Sequence, residues 1–307
     1  MGEFEQFVAD ISEIIGENLG DNFEVRVRKI KKNNCHEKTG LTICDKSGMY
    51  YKNGVAPTFY LEEIYETYKE SRDIYELAQI ITERFKESAD AAKLIDMSVL
   101  DGNNVENNIF YRIVNYNENK DILENVPHIC FEDLVVTFRC LCGSTDNGVN
   151  SFLINDSIMK GWGMSEARLL SLARRNTPLL FPEKLVRITE VLKDLGAAAG
   201  IPYDITDDED DMKLYVLTNT VSINGATVIL YSKKIYELCN KMDCNMYVIP
   251  SSIHELILIP ECDEVDPHYI GSMINDVNNN VVPPEEILSY NVYYYSRENR
   301  QISIVSA

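Results

Sequence analysis

A chain of 307 residues, 45% hydrophobic and 25% charged, has the composition of an ordinary globular protein and room for two or three domains of roughly 100–150 residues. Its formal net charge of −20 repels phosphate backbones and anionic lipid surfaces, so neither nucleic acid nor membrane is an expected partner. No apolar run approaches the roughly 20 residues of a spanning helix, and the acidic, amphipathic start MGEFEQFVAD is unlike a secretory leader, so a cytoplasmic location is expected.

Residues 1–100 read as an N-terminal unit of helices and a small sheet. Phe4, Phe7, Val8, Ile11, Ile14 and Ile15 recur on one helix face, and Gly20 ends that helix. Phe23, Val25 and Val27 alternate as a strand, and further strands are predicted at 41–44 and 56–60. Two helices follow, one with Leu61, Ile64, Tyr65 and Tyr68, the other with Ile74, Leu77, Ala78, Ile81 and Phe85. The polar stretch 101–108 reads as a linker.

Residues 101–203 read as a mixed, mostly helical middle unit. A strand is predicted at 109–114 and a short helix at 119–124, while 135–141 fits strand or buried helix equally by period. Asn155 or Asp156 caps a short helix broken at Gly163, Ser165 caps a second running to Asn176, and a helix is predicted over 183–195. The run DITDDEDD at 204–211 lacks the glycine and terminal glutamate of a calcium loop and reads as an acidic linker.

Residues 212–307 read as an α+β unit, an antiparallel sheet with helices on one face. Strands 214–217 and 226–231 flank Asn224-Gly225, a hairpin signal. A helix at 233–242, strands at 246–249 and 255–259, and a helix carrying Tyr269, Ile270, Met273, Ile274 and Val277 come next. Strands 292–295 and 301–305 close the chain as a hairpin. The fold class expected for the whole is α+β.

The stretch MYVIPSSIHELILIP (246–260) sets Ser251, Ser252, His254 and Glu255 between two apolar runs. With 250–253 as the turn and His254 opening the return strand, Ser252 and His254 share a face and Glu255 points away. A catalytic triad needs its acid on the far side of the imidazole, so Glu255 is badly placed and a distant acid such as Asp133 would have to serve. A hydrolase using Ser252 and His254 is therefore the second reading rather than the first. The helix pair at 154–176, with Arg168, Arg174 and Arg175, makes a weak DNA-binding module the third. Basic residues over 26–32 suit an edge strand guarded against aggregation, or a docking site for an acidic partner. Cys35-His36 and Cys140-Leu141-Cys142 lack zinc spacing, and no glycine-rich phosphate loop occurs, so no metal or cofactor is expected. The eight cysteines read as reduced thiols.

Several segments resemble the bacterial domain-of-unknown-function family 5688, found mainly in gut Firmicutes. They are TGLTI (39–43), PTFYLEEIYETY (57–68), IFYRIVNYNENKDILENVPHICFEDL (109–134), INDSIMKGWGMSE (154–166), NTPLLFP (176–182), YVLTNTVSINGATVILY (215–231) and YVIPSSIHELILIP (247–260). The resemblance implies a cytosolic bacterial protein and carries over no chemistry. The polar residues within these stretches are Arg112, Asn115, Asn119, His128, Asp133, Asn219, Ser252, His254 and Glu255. Arg112, Asn115, His128, Asn219 and Glu255 are candidates for binding, and Ser252, His254 and Asp133 for catalysis. The reading that results is a non-catalytic binding or adaptor module for another protein.

Overall fold

The structure, a computed structural model, describes residues 2–47, 56–92, 95–102, 104–145, 148–198, 214–263 and 265–305. The acidic run at 204–211 lies outside them. The chain divides into two compact units, Met1–Asp101 with Cys142–Asn150, and Gly102–Leu141 with Ser151–Ala307.

In the first unit, α1 (Glu3–Leu19) leads to β1 (Phe23–Lys31), β2 (Glu37–Asp45) and β3 (Thr58–Tyr60), then α2 (Leu61–Ser71) and α3 (Ile74–Ala92). The three strands form an antiparallel sheet in sequence order. Phe7, Ile11 and Ile15 of α1 are buried with Leu41 and Ile43 of β2 and Ala78, Ile81 and Phe85 of α3. The helical spacing in the sequence thus marks the core face of each helix. Gly20 ends α1 at φ 77°, a conformation open to glycine at no steric cost.

The second unit opens with β4 (Ile109–Asn115), α4 (Lys120–Leu123), β5 (His128–Phe131) and the part of the long β6 (Leu134–Thr145) up to Leu141, and resumes at Ser151 within β7 (Gly148–Leu153). Residues 135–141, left open between helix and strand, are strand. They pair with β4 on one side and β5 on the other, in a sheet ordered β4-β6-β5 with β7 also on β6. Along β4, the Tyr111 and Ile113 amides donate to the hydroxyls of Thr177 and Thr227, at 3.2 and 3.3 Å. These side chains satisfy backbone donors that an edge strand would otherwise leave unpaired.

Next come α5 (Asp156–Gly161) and α6 (Glu166–Leu180), capped by Asn155 and Ser165 as their sequence implies. The segment 183–195, predicted as one helix, splits into β8 (Glu183–Arg187) and α7 (Ile188–Ala198). β8 adds an edge to the last sheet by pairing with β9 (Tyr215–Asn219), a tertiary contact that five residues of ambiguous period cannot announce.

The remaining elements are α8 (Lys234–Met242), β10 (Met246–Ile249), β11 (Leu256–Pro260), α9 (Pro267–Asn280), β12 (Tyr293–Ser296) and β13 (Gln301–Ile304). The sheet runs β13-β12-β10-β11-β9-β8 and is antiparallel throughout. The strand predicted at 226–231 is instead the 3-10 helix Gly225–Leu230. β9 already lies between β8 and β11, so neither of its edges is open to a returning strand. Gly225 is required here for closeness. A Cβ would sit 1.9 Å from the Thr218 hydroxyl and 2.3 Å from the His254 carbonyl. On one sheet face Tyr247, Ile249 and Ile259 pack with Ile270 and Ile274 of α9. Met246, Val248, Leu256 and Leu258, which alternate with them, are also buried, so both faces of the central strands are covered.

Candidate functional site

The loop 250–255 is longer than the sequence implies, because Ile249 pairs with Ile257 and β11 begins only at Leu256. His254 and Glu255 therefore lie in the loop, and strand alternation does not separate them. The loop is zipped to the segment before β12. Ile253 donates to the Glu286 carbonyl, Leu288 to Ser251 and Ser289 to Pro250, at 2.8, 2.9 and 2.9 Å. Ser252 and Ser251 are buried.

Within this loop the serine, imidazole and acid are engaged separately. The Ser252 hydroxyl accepts the His254 backbone N–H at 3.0 Å. The imidazole Nδ1 accepts from the Asn224 amide at 3.4 Å, and Nε2 lies 3.5 Å from Glu286 Oε1. Burial raises the Glu255 pKa, against the opposing pull of His254 and Ser252. The acid beside the imidazole is thus Glu286, which the sequence reading passed over.

Asp133 stands in the two-residue turn between β5 and β6. Its Oδ2 accepts the Ser289 hydroxyl at 2.7 Å and the Asn291 amide at 2.9 Å, and its Oδ1 accepts the Tyr293 hydroxyl. Burial, then the Asp133 charge, pushes the Tyr293 phenol above its ordinary range. Around them Asn115 donates to the Leu288 carbonyl at 2.9 Å and Asn278 to the Ser289 carbonyl at 3.0 Å. The segment 286–293 therefore gathers Asn115, Asp133 and Ser252, which lie far apart in sequence, into one bonded junction. Asn119 joins it through a bond to the Asn115 carbonyl at 2.8 Å.

Asn219 stands apart from the junction. It closes its own turn, donating to the Ile223 carbonyl and accepting from the Val221 amide, both at 2.9 Å. Arg112 and His128 lie elsewhere in the unit, in one cross-strand row: Arg112 pairs with Thr137, and Thr137 with His128. His128 Nδ1 bonds the Val126 carbonyl at 2.7 Å. In the helix pair 154–176, Arg168 pairs with Glu106 at 2.6 Å and Arg175 bonds Asn107 at 3.0 Å, so both are tied to their own unit. No His, Cys, Asp and Glu grouping suited to a metal ion occurs among the described residues.

A separate surface runs along α9. Ile270, Ile274 and Asn278 form its buried face. Tyr269, Met273, Val277 and Val281, each four residues on, are 66%, 49%, 39% and 74% exposed. Spacing of four sets Tyr269, Met273 and Val277 one above another beside the buried face, with Val281 following at the C-cap. Beside the helix, a cavity of about 460 Å³ is lined by Gly271, Asn275 and Tyr290 among others. The apolar residues that the sequence assigned to this helix belong to two faces, and one of them is open.

The model of a family of unknown function, DUF5688, matches residues 4–297. The chain belongs to this family. The match spans both units of this DUF5688 member, including the α9 stripe, the Asp133 junction and the Arg112–Thr137–His128 row. No curated protein and no solved structure matches the chain. The residues that sequence reading missed in this family member are Glu286, Ser289, Asn291 and Tyr293. Their only local signal was a polar interruption before a tyrosine-rich strand, since their partners lie 32 to 160 residues away.

Proposed function

We propose that this protein is a non-catalytic adaptor that docks a basic, amphipathic helix of another protein along α9. The observation that carries the reading is the open stripe Tyr269–Met273–Val277, three apolar side chains at one-turn spacing beside the buried face of the helix, continued by Val281 at its C-cap. Contiguous exposed apolar surface of this kind marks interaction sites, and helix-in-groove recognition uses the same spacing. A chain of net charge −20 steers toward a positively charged partner and away from nucleic acid. The internal bonds of Ser252, His254 and Asp133 support structural roles for the residues a hydrolase would need. Eight free thiols fit a reducing compartment, and we read the protein as cytoplasmic and bacterial. No helix among the described residues is long and apolar enough to cross a membrane.

The test places a photo-crosslinking residue at Met273 and asks whether the captured partner contains a basic amphipathic helix. Tyr269→Glu and Met273→Glu should abolish capture while circular dichroism stays native. Capture unchanged by both charges, or no partner from cells of the native host, would overturn the reading.

A further inference from the structure

Arg112 is partly buried, and its Nε is buried with no hydrogen-bond partner. The residue as a whole nevertheless keeps partial exposure, so solvent reaches part of it. Among the described residues no carboxylate pairs with it; the neighbouring charge it feels is the like charge of Arg139. This happens in a chain with 49 acidic residues against 29 basic ones. A guanidinium drawn out of water without a counter-ion is unfavourable unless hydrogen bonds or an opposite charge offset it.

The surroundings are built on one sheet face. Arg112 on β4, Thr137 on β6 and His128 on β5 lie directly across from one another, and Arg139 follows Thr137 by two residues on the same face. Arg112 and His128 are therefore about 10 Å apart at Cα, two strand spacings. Arg139 is held by its own strand neighbourhood, donating from Nε to the Ser151 hydroxyl at 3.0 Å and from Nη2 to the Ser151 carbonyl at 2.9 Å. Both of those partners are neutral groups. Thr137 donates its hydroxyl to the Arg112 carbonyl at 3.2 Å and keeps lone pairs only. With Nδ1–H given to Val126, the neutral His128 ring keeps Nε2 as an acceptor, and protonation turns it into a donor.

The geometry points to an oxyanion-binding site on the β4–β6–β5 face, where Arg112 grips the phosphate or carboxylate group of a ligand in its guanidinium fork, with Arg139 and His128 flanking it. A planar fork matches either anion in two parallel hydrogen bonds, and the low-dielectric setting strengthens them. The partly buried Arg112 loses proton affinity, to about 9, and remains charged at neutral pH. This site is separate from the α9 stripe and stands whether or not α9 docks a partner.

The full chain would be titrated with inorganic phosphate and, separately, with acetate, each against chloride at matched ionic strength. Calorimetry and thermal melting supply the readouts. Saturable binding of one of the two anions is expected, and the anion that binds identifies the ligand group. Arg112→Gln should weaken that binding at least tenfold, and His128→Gln no more than a few-fold. If Arg112→Gln does not fold, Arg112→Lys keeps the charge and loses the fork, and should weaken binding several-fold. No saturable binding of either anion, or native affinity in whichever Arg112 variant folds, would overturn the site.

Discussion

Tyr293 on β12 donates its phenolic hydroxyl to Asp133, 160 residues earlier in the chain, and so ties the β5–β6 turn to the six-stranded sheet. Ser289 and Asn291 donate to the same carboxylate. Removing the acceptor strands three donors at once. Asp133→Ala should cost about 3 kcal/mol or more, since hydrogen bonds to a charged group are worth about 1.5–3 kcal/mol each. Tyr293→Phe removes one donor and should cost about 1–3 kcal/mol. Urea unfolding of both variants checks this, and a loss under about 1 kcal/mol for Asp133→Ala would make the junction incidental.

Gly225 is irreplaceable for steric reasons. A methyl group there meets the Thr218 hydroxyl and, 2.3 Å away, the His254 backbone carbonyl. The hydroxyl can rotate aside, but the carbonyl is held by the loop. Gly225→Ala should destabilise by about 1–3 kcal/mol, the usual cost of overpacking, or more. Ala at Gly163, where no atom lies within 4 Å, meets no contact and is strained only by its φ of 65°. A melting temperature lowered more by Gly163→Ala than by Gly225→Ala would contradict this account.

The serine question has a direct assay. Among the described residues the Ser252 hydroxyl bonds the His254 amide and not the imidazole. Broad serine-reactive probes should leave the protein unlabelled, and Ser252→Ala should lower stability by about 1 kcal/mol, the net worth of a typical hydrogen bond. Labelling that disappears in Ser252→Ala would restore the hydrolase reading.

Glu255 gives a pH signature at the same loop. Burial raises its folded pKa above the unfolded value of 4.5. Between those two values the folded state holds the extra proton, so stability falls as pH rises through the window, and the full penalty stands above it. Glu255→Gln should therefore be more stable than the native protein near neutral pH, with the advantage shrinking toward about pH 4. Denaturation midpoints at the two pH values decide it; equal differences at both would show that Glu255 carries no such penalty.

At the alkaline end the tyrosines set the sign. Burial pushes Tyr111 up to about 12, and Tyr231 and Tyr293 higher still, whereas unfolded phenols ionise near 10. Above about pH 10 the unfolded state releases protons that the folded state keeps, so stability falls. Arg112 works the other way. Its folded pKa near 9 lies below the unfolded 12.5, so its penalty is relieved as pH rises between them. Three tyrosines outweigh one arginine, and unfolding midpoints at about pH 8 and pH 11 should show a net loss. Unchanged midpoints, with tyrosinate absorbance appearing near pH 10 in the folded protein, would sink this prediction.

The sequence by itself determined the α+β class, the helices of the first unit, the caps at Asn155 and Ser165 and the closing hairpin. Each rests on local periodicity or on one capping side chain, information carried within a few residues. The tertiary structure alone decided the rest. β8 is a strand because β9 offers an edge, and 225–230 coils because β9 has none left. The period of α9 lists its apolar residues, but only the packed sheet shows that Ile270 and Ile274 are buried while Tyr269 and Met273 stand open. Arg112 and His128 are unrelated in sequence until Thr137 aligns them across three strands. The serine, histidine and glutamate of 252–255 suggest chemistry when read in line. In the fold their hydrogen bonds go to Asn224 and to one another, and Glu286 faces the imidazole, because a buried loop must satisfy its polar groups with whatever the rest of the chain brings to it.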